Sequence, residues 1–404
     1  MTRARVLAPS DLAAGRARTA GIARVRFGGR VADATTRRLT LADALGTLAV
    51  HGAALACEPG DLVVVEGRLQ RGALRAARLV ERTPCPTPRG DGAVARFSWH
   101  GVAERLLARA RAIAAIREVF AERGFVEVET PMRVRAPGVD AHLDAVRAEG
   151  GFLVTSPELH LKRLLVGGLP RIYELARATR ANEHGALHEP EFTLLEWYRA
   201  FAGQEEIQAD TEVIVERVAR ALRGRPELVA PSGRTIDVRP PFPRLTVRDA
   251  FRRWAGVRDA SSLARRNPNR FFELLVDRIE PKLALLRRPV FLCDYPLSQA
   301  ALARPSPRDA SVAERFELYA GGVELSNGYG ELTDPVEQVR RFRAERARRK
   351  AKRRRTYPID ERFLSALCEG MPRAGGNALG VDRLVMLALG AKGIQEVVAF
   401  PEGT

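Results

Sequence analysis

Residues 171–200, RIYELARATRANEHGALHEPEFTLLEWYRA, constrain the fold of this chain more than any other stretch. Two runs of strand-forming residues flank a polar loop. A period of two puts Ile172, Glu174, Ala176, Ala178 and Arg180 on one face of the first arm, and Phe192, Leu194, Glu196 and Tyr198 on one face of the second. Ionised groups are costly to bury unless they are paired. A hairpin that gathers arginines, carboxylates and a tyrosine beside His184 and His188 is therefore either a solvated sheet edge or part of a site.

The chain has 404 residues, 46% apolar and 28% charged, which is the balance of a globular protein with one large domain and a small one. No window approaches 18 uninterrupted apolar residues and the first residues hold no signal-like apolar run, so a cytoplasmic protein without a membrane partner is expected. Cys57, Cys85, Cys293 and Cys368 are far apart and read as small core residues, with neither a disulfide framework nor a structural metal. The net charge of +17 fits a polyanionic partner through long-range attraction. Only five of the 66 basic residues are lysine, an arginine bias equally consistent with genomic base composition.

In chain order, residues 1–20 lack pattern and read as a mobile tail. Residues 21–83 hold short Val- and Leu-rich runs between Gly and Pro turns, the spacing of a small OB-like β-barrel. Its only aromatic is Phe27, so either a packing role or polyanion binding is open to it. A linker, 84–96, leads to one large domain over 97–404. That domain opens with an amphipathic helix near 102–123 and the extended run FVEVETP, which stops at Pro131. GFLVTSPELHLKRLL reads as a strand, a turn at Ser156-Pro157, and a helix with Glu158 at its positive end. The run at 314–335, ERFELYAGGVELSNGYGELTDP, reads as a hairpin carrying Glu324, Asn327 and Glu331; carboxylates so placed either hold Mg²⁺ beside phosphates or sit on an exposed edge. RRFRAERARRKAKRRR, 340–355, reads as a helix charged and exposed all round, either solvated or a landing site for an acidic partner. Finally, glycines lead into an apolar helix near Val381, whose first turn holds Arg383 where a phosphate could approach closely.

A helix and strand ending in proline, an arginine hairpin, and a glycine turn entering a helix with an arginine together resemble motifs 1, 2 and 3 of class II aminoacyl-tRNA synthetases, over residues 97–404. TSPELHLKRLL, HEPEFTLLEWYR, AERFELYAGGVELSNGYGELTDP and GVDRLVMLALG resemble the lysine type. LEWYR, LSQAALA and the alanine of NALGVDR are similar to the free-standing paralogues that attach β-lysine to a lysine of elongation factor P. The resemblance implies an α+β fold, an antiparallel sheet flanked by helices behind the OB-like barrel, and a homodimer formed through the segment with Pro131.

It implies a site as well. Ser156, Pro157, Glu158, Glu196, Tyr198, Asn327, Glu331 and Ala378 would hold the amino acid. Arg180, Ala181, Asn182, Glu183, Glu189, Phe192, Glu324, Leu325, Gly380 and Arg383 would contact ATP, with Arg180 at the α-phosphate and Arg383 near the terminal one. Glu324 and Glu331 would hold Mg²⁺. Two departures fall in the hairpin loop: Arg180-Ala181-Asn182-Glu183 replaces the family's Arg-Asn-Glu, and Glu189 stands where the family has the asparagine of HNPEF. The implied activity is ATP-dependent activation of lysine or β-lysine as an adenylate and transfer to elongation factor P. The alternatives are charging of tRNA, for which the barrel would serve, and a non-catalytic binding role.

Overall fold

The computed structural model describes residues 5–16, 24–138, 140 and 143–402. The chain divides into two compact units, Met1–Ala108 and Arg109–Thr404.

In the first unit, β1 (Val25–Ala34), β2 (Arg38–Ala42), β3 (Thr47–Gly52), β4 (Leu62–Gln70) and β5 (Ala73–Thr83) lie in the order β1-β2-β3-β5-β4, and pairing of β1 with β4 closes the barrel. Alternation along the strands sends Leu39, Leu41, Val50, Val65 and Leu74 inward. Phe27 is fully buried among them, so its ring cannot stack a base. The expected tail is partly structured. Val6–Leu7 pairs with β1 in parallel and a short helix, Pro9–Ala13, follows, because Leu7 and Leu12 add to the barrel core. The expected start of the barrel near residue 21 lies outside the described residues.

The second unit is built on one sheet. The elements that form and flank it include α1 (Val102–Glu122, which begins in the first unit), β6 (Val126–Glu127), α2 (Glu158–Val166), β7 (Arg171–Thr179), β8 (Glu191–Ala200), α3 (Gln204–Arg223), β9 (Arg244–Thr246), β10 (Val290–Pro296), β11 (Val312–Ala320), β12 (Val323–Gly330), α4 (Pro335–Ala351), β13 (Ala374–Gly380) and α5 (Val381–Leu389). The strand order is β9-β10-β11-β12-β13-β8-β7-β6. The central six pair antiparallel, and the short edge strands β9 and β6 pair parallel. The expected antiparallel sheet is this centre.

One sheet face is closed by α3 and α5. Ile207, Ile214, Val215 and Val218 recur at helical spacing on α3 and are fully buried. Trp197 and Leu195 point into the same core from β8, and Phe120 of α1 stacks on Tyr173 at 4.2 Å between centroids. Each large apolar side chain so buried contributes about 1.5–3 kcal/mol relative to exposure, which makes the sheet a rigid base for whatever lies on its other face. α4 is not exposed all round as its charges imply. Gln338, Arg341, Phe342 and Arg349 are buried, and the Arg349 guanidinium donates to the carbonyls of Asp140 and Leu143 at 2.6 Å each while pairing with Asp144. Carbonyls and a carboxylate supply the partners that burial of an arginine requires. Of the cysteines, Cys293 is buried and Cys368 is exposed, against the core position expected for all of them. Among the described residues, no helix is long and apolar enough to cross a membrane.

Candidate active site

Strand register turns the open face of the sheet into ordered rows. Glu174 is opposite Glu196, Glu196 opposite Ala378, Ala378 opposite Asn327, and Asn327 opposite Glu317. The next row runs Ile172, Tyr198, Gly376, Tyr329, Arg315. Residues opposite one another share a face, so four strands, β8, β13, β12 and β11, present their polar side chains to one cleft of about 570 Å³. Small residues on β13 give it depth. A Cβ on Gly376 would come within 2.3 Å of the Tyr198 ring and 2.6 Å of Glu331 Oε1, so only glycine fits.

At one end of the cleft the side chains are carboxylates and hydroxyls. Ser156 Oγ donates to Glu196 Oε1 at 2.5 Å, and Tyr198 OH donates to Glu196 Oε2 at 3.2 Å. Burial, helped by the charge of Glu158, pushes the Glu196 carboxyl up to about 8. Glu158 opens onto the cleft from the first turn of α2. Beneath the floor, Lys162 Nζ lies 2.5 Å from Glu158 Oε1 and 2.6 Å from Glu331 Oε2. Burial raises Glu331 to about 7 despite the lysine.

The other end is lined by arginines. The Arg180 guanidinium lies over the Phe192 ring at 5.0 Å, and its Nε has no partner among the described residues. Arg383 Nη1 donates to the Glu324 carbonyl at 2.7 Å, its Nε donates to the Leu187 carbonyl at 3.2 Å, and its Nη2 is 2.7 Å from His188 Nε2. These bonds leave the guanidinium fixed at the start of α5. Glu317 faces Glu324 across this end. Glu317 accepts hydrogen bonds from Tyr295 (2.5 Å), Tyr319 (2.8 Å) and Arg315 (2.6 Å). Glu324 lies deep in the cleft but keeps 39% of its side chain accessible, 3.7 Å from Arg383. Burial and the charge of Glu317 push it up to about 7, against the arginines.

Of the residues expected from the sequence, Ser156, Glu158, Arg180, Glu183, Glu189, Phe192, Glu196, Tyr198, Glu324, Leu325, Asn327, Ala378, Gly380 and Arg383 line this cleft. Four others do not. Pro157 caps α2, its carbonyl accepting from His160 and Leu161 at 3.0 and 3.1 Å. The Ala181 amide donates to the Asp144 carbonyl at 2.8 Å, and Asn182 takes a left-handed φ of 64° that turns the chain. That turn brings the Glu183 carboxylate to 3.8 Å from Arg180. Glu331 is fully buried on Lys162 behind the floor. Glu189 reaches the cleft wall, yet its carboxylate is engaged by Gln395 Nε2 at 2.8 Å and the Glu402 amide at 2.9 Å. The sequence reading missed Glu317 and Lys162. Each had a signal: Glu317 alternates with Arg315 along one face of its strand, and Lys162 lies one helical turn after Glu158 among leucines.

The pair Glu317 and Glu324 fits a divalent cation, because two carboxylates that repel each other in one cleft are relieved by it. Among the described residues no cluster of three or more His, Cys, Asp or Glu could hold a metal, so phosphate and water oxygens would complete such a site.

Comparison with known proteins agrees with this architecture. Residues 94–404 match the family model described as tRNA synthetases class II (D, K and N). Proteins named elongation factor P--(R)-beta-lysine ligase are similar: that of Proteus mirabilis is 40% identical over 314 residues, covering 73% of this chain and 94% of the relative. Those of Vibrio cholerae and Edwardsiella ictaluri are each 39% identical, over 310 and 325 residues, covering 95% and 97% of the relatives. With the arginine hairpin, the carboxylate rows and the Arg383 helix on one antiparallel sheet, and with this match over three-quarters of its length, the chain belongs to the class II tRNA synthetase family of the D, K and N group, alongside the elongation factor P--(R)-beta-lysine ligases.

Proposed function

We propose that this protein is a ligase that activates lysine or β-lysine with ATP and transfers it to a lysine side chain of elongation factor P. The observation that carries the reading is the polarity of the cleft: Glu158 and Glu196 at one end, Arg180 and Arg383 at the other. A diamino acid binds with its ammonium groups on ionised acceptors, the strongest kind of hydrogen bond available to them. Its carboxylate then points toward the arginines and the bound nucleotide.

In the first step the substrate carboxylate oxygen attacks the α-phosphorus of ATP, an aminoacyl adenylate forms, and pyrophosphate leaves. No enzyme group becomes covalently attached. Negative charge builds on the phosphoryl oxygens, and Arg180 and Arg383, both held in place before reaction, stabilise it electrostatically. The carboxylate end supplies positioning. Mg²⁺ held by Glu317 and Glu324 would neutralise phosphate charge when bound. Glu331, expected at this metal, instead supports the amino-acid end through Lys162. Glu183 stands in for the family's motif 2 carboxylate, one residue late in sequence but close to Arg180. In the second step the acceptor amine attacks the activated carbonyl and AMP leaves. A translation factor as acceptor puts the reaction in the cytoplasm.

The test is pyrophosphate exchange with ATP, Mg²⁺ and either lysine isomer, followed by addition of purified elongation factor P or tRNA. Label is expected on the protein. Transfer to tRNA alone would overturn the acceptor assignment, and no exchange with either isomer would overturn the enzyme assignment.

A further inference from the structure

One charged group at the amino-acid end takes no part in the chemistry above. Lys162 is fully buried, and its ammonium touches two carboxylates, Glu158 at 2.5 Å and Glu331 at 2.6 Å, with the Tyr198 ring centroid 5.9 Å away. The contact with Glu158 is set by the helix, because residues four apart on α2 lie over one another. Glu331 arrives from the far side, just past the end of β12, and its carboxylate sits under Gly376. Burial pulls the lysine toward its neutral form, but the two carboxylates outweigh burial and hold it charged.

Two carboxylates therefore share one protein cation, Glu158 and Glu331 on Lys162, while Glu196 lies on the hydroxyls of Ser156 and Tyr198. Resting on the reading of this end as a diamino-acid site, we propose that Lys162 is a positioning residue. Its ammonium fixes Glu158 facing the cleft, where that carboxylate meets an ammonium group of the substrate. Glu331 holds the Lys162 ammonium from the side opposite Glu158.

The test compares wild type, Lys162→Met and the double variant Lys162→Met/Glu331→Gln in pyrophosphate exchange, with lysine or β-lysine, whichever the wild type activates, and with melting temperatures alongside. Lys162→Met is expected to raise the amino-acid KM at least tenfold while the ATP KM stays within twofold. The double variant, which removes both buried charges, is expected to regain thermal stability and keep the raised KM, because Glu158 still lacks its tether. Recovery of the amino-acid KM in the double variant would overturn the proposal, as would parallel changes in the amino-acid and ATP KM. Should Lys162→Met fail to fold, the double variant alone decides: a raised amino-acid KM supports the assignment and an unchanged one refutes it. Absence of exchange in wild type is a separate result; it removes the diamino-acid reading itself, and this assignment with it.

Discussion

Replacing Glu196 with glutamine is expected to stabilise the free protein while disabling substrate binding. The carboxyl is 1% exposed, and burial together with the Glu158 charge raises it from 4.5 to about 8. Between those values the folded chain holds a proton that the unfolded chain has released, so stability falls as pH rises through this window. At about 1.4 kcal/mol per pH unit, the ceiling is about 5 kcal/mol above pH 8. Water entering the cleft halves that, leaving about 2 kcal/mol, or roughly 4 °C in Tm for a domain of this size. Glutamine keeps an acceptor oxygen for one of the two hydroxyls, offers its amide N–H to the oxygen of the other, and has no charge to desolvate. Thermal melts of both proteins from pH 5 to 9 should therefore converge at pH 5 and separate by roughly 4 °C at pH 8, with the variant higher. Its amino-acid KM should rise about 100-fold, since an ammonium then meets a neutral acceptor. A variant that melts with or below wild type at pH 8, or a gap that does not change with pH, would refute the reasoning.

Because only ionised Glu196 accepts the substrate ammonium well, wild-type amino-acid KM should fall about tenfold per pH unit from pH 6 toward 8 and then level, as measured by steady-state exchange. Gly376→Ala forces a methyl against the Tyr198 ring and Glu331; melting should show a loss of about 1–3 kcal/mol, and the amino-acid KM should rise more than the ATP KM. Arg343 and Arg346 are exposed on α4, so reversing both to glutamate should slow transfer to an acidic acceptor protein and leave exchange intact, which single-turnover transfer assays would register.

Much of this was legible in the chain before any coordinates. Alternation in 171–200 already separated the face of Glu196 and Tyr198 from the core face of Leu195 and Trp197, because period two is a property of the strand itself. Pattern could not say which strands are neighbours. Glu317 became visible as a cleft residue only when β11 was placed beside β12 and its register with Asn327 was known. Lys162 was hidden for a related reason: its partner Glu331 is far along the chain, and a lone lysine on a helix normally reaches water. α4 misled in the opposite sense. Its charges spread round the helix, yet the carbonyls that bury Arg349 belong to a loop about two hundred residues earlier, which no local pattern can reveal.

The row from Glu196 through Ala378 and Asn327 to Glu317 spans three strand-to-strand steps, each about 4.8 Å. The gap between the group that greets the amine and the group that greets the phosphates is thus a ruler roughly 14 Å long, ticked by backbone hydrogen bonds. Side-chain changes can retune what sits at each tick, but they cannot move the ticks. Inserting or deleting one residue within β8, β13, β12 or β11 would turn every later side chain of that strand to the opposite face and erase the scale. Change in what this scaffold activates is therefore open to substitution at the ticks and to loops of any length, and closed to indels in its strands.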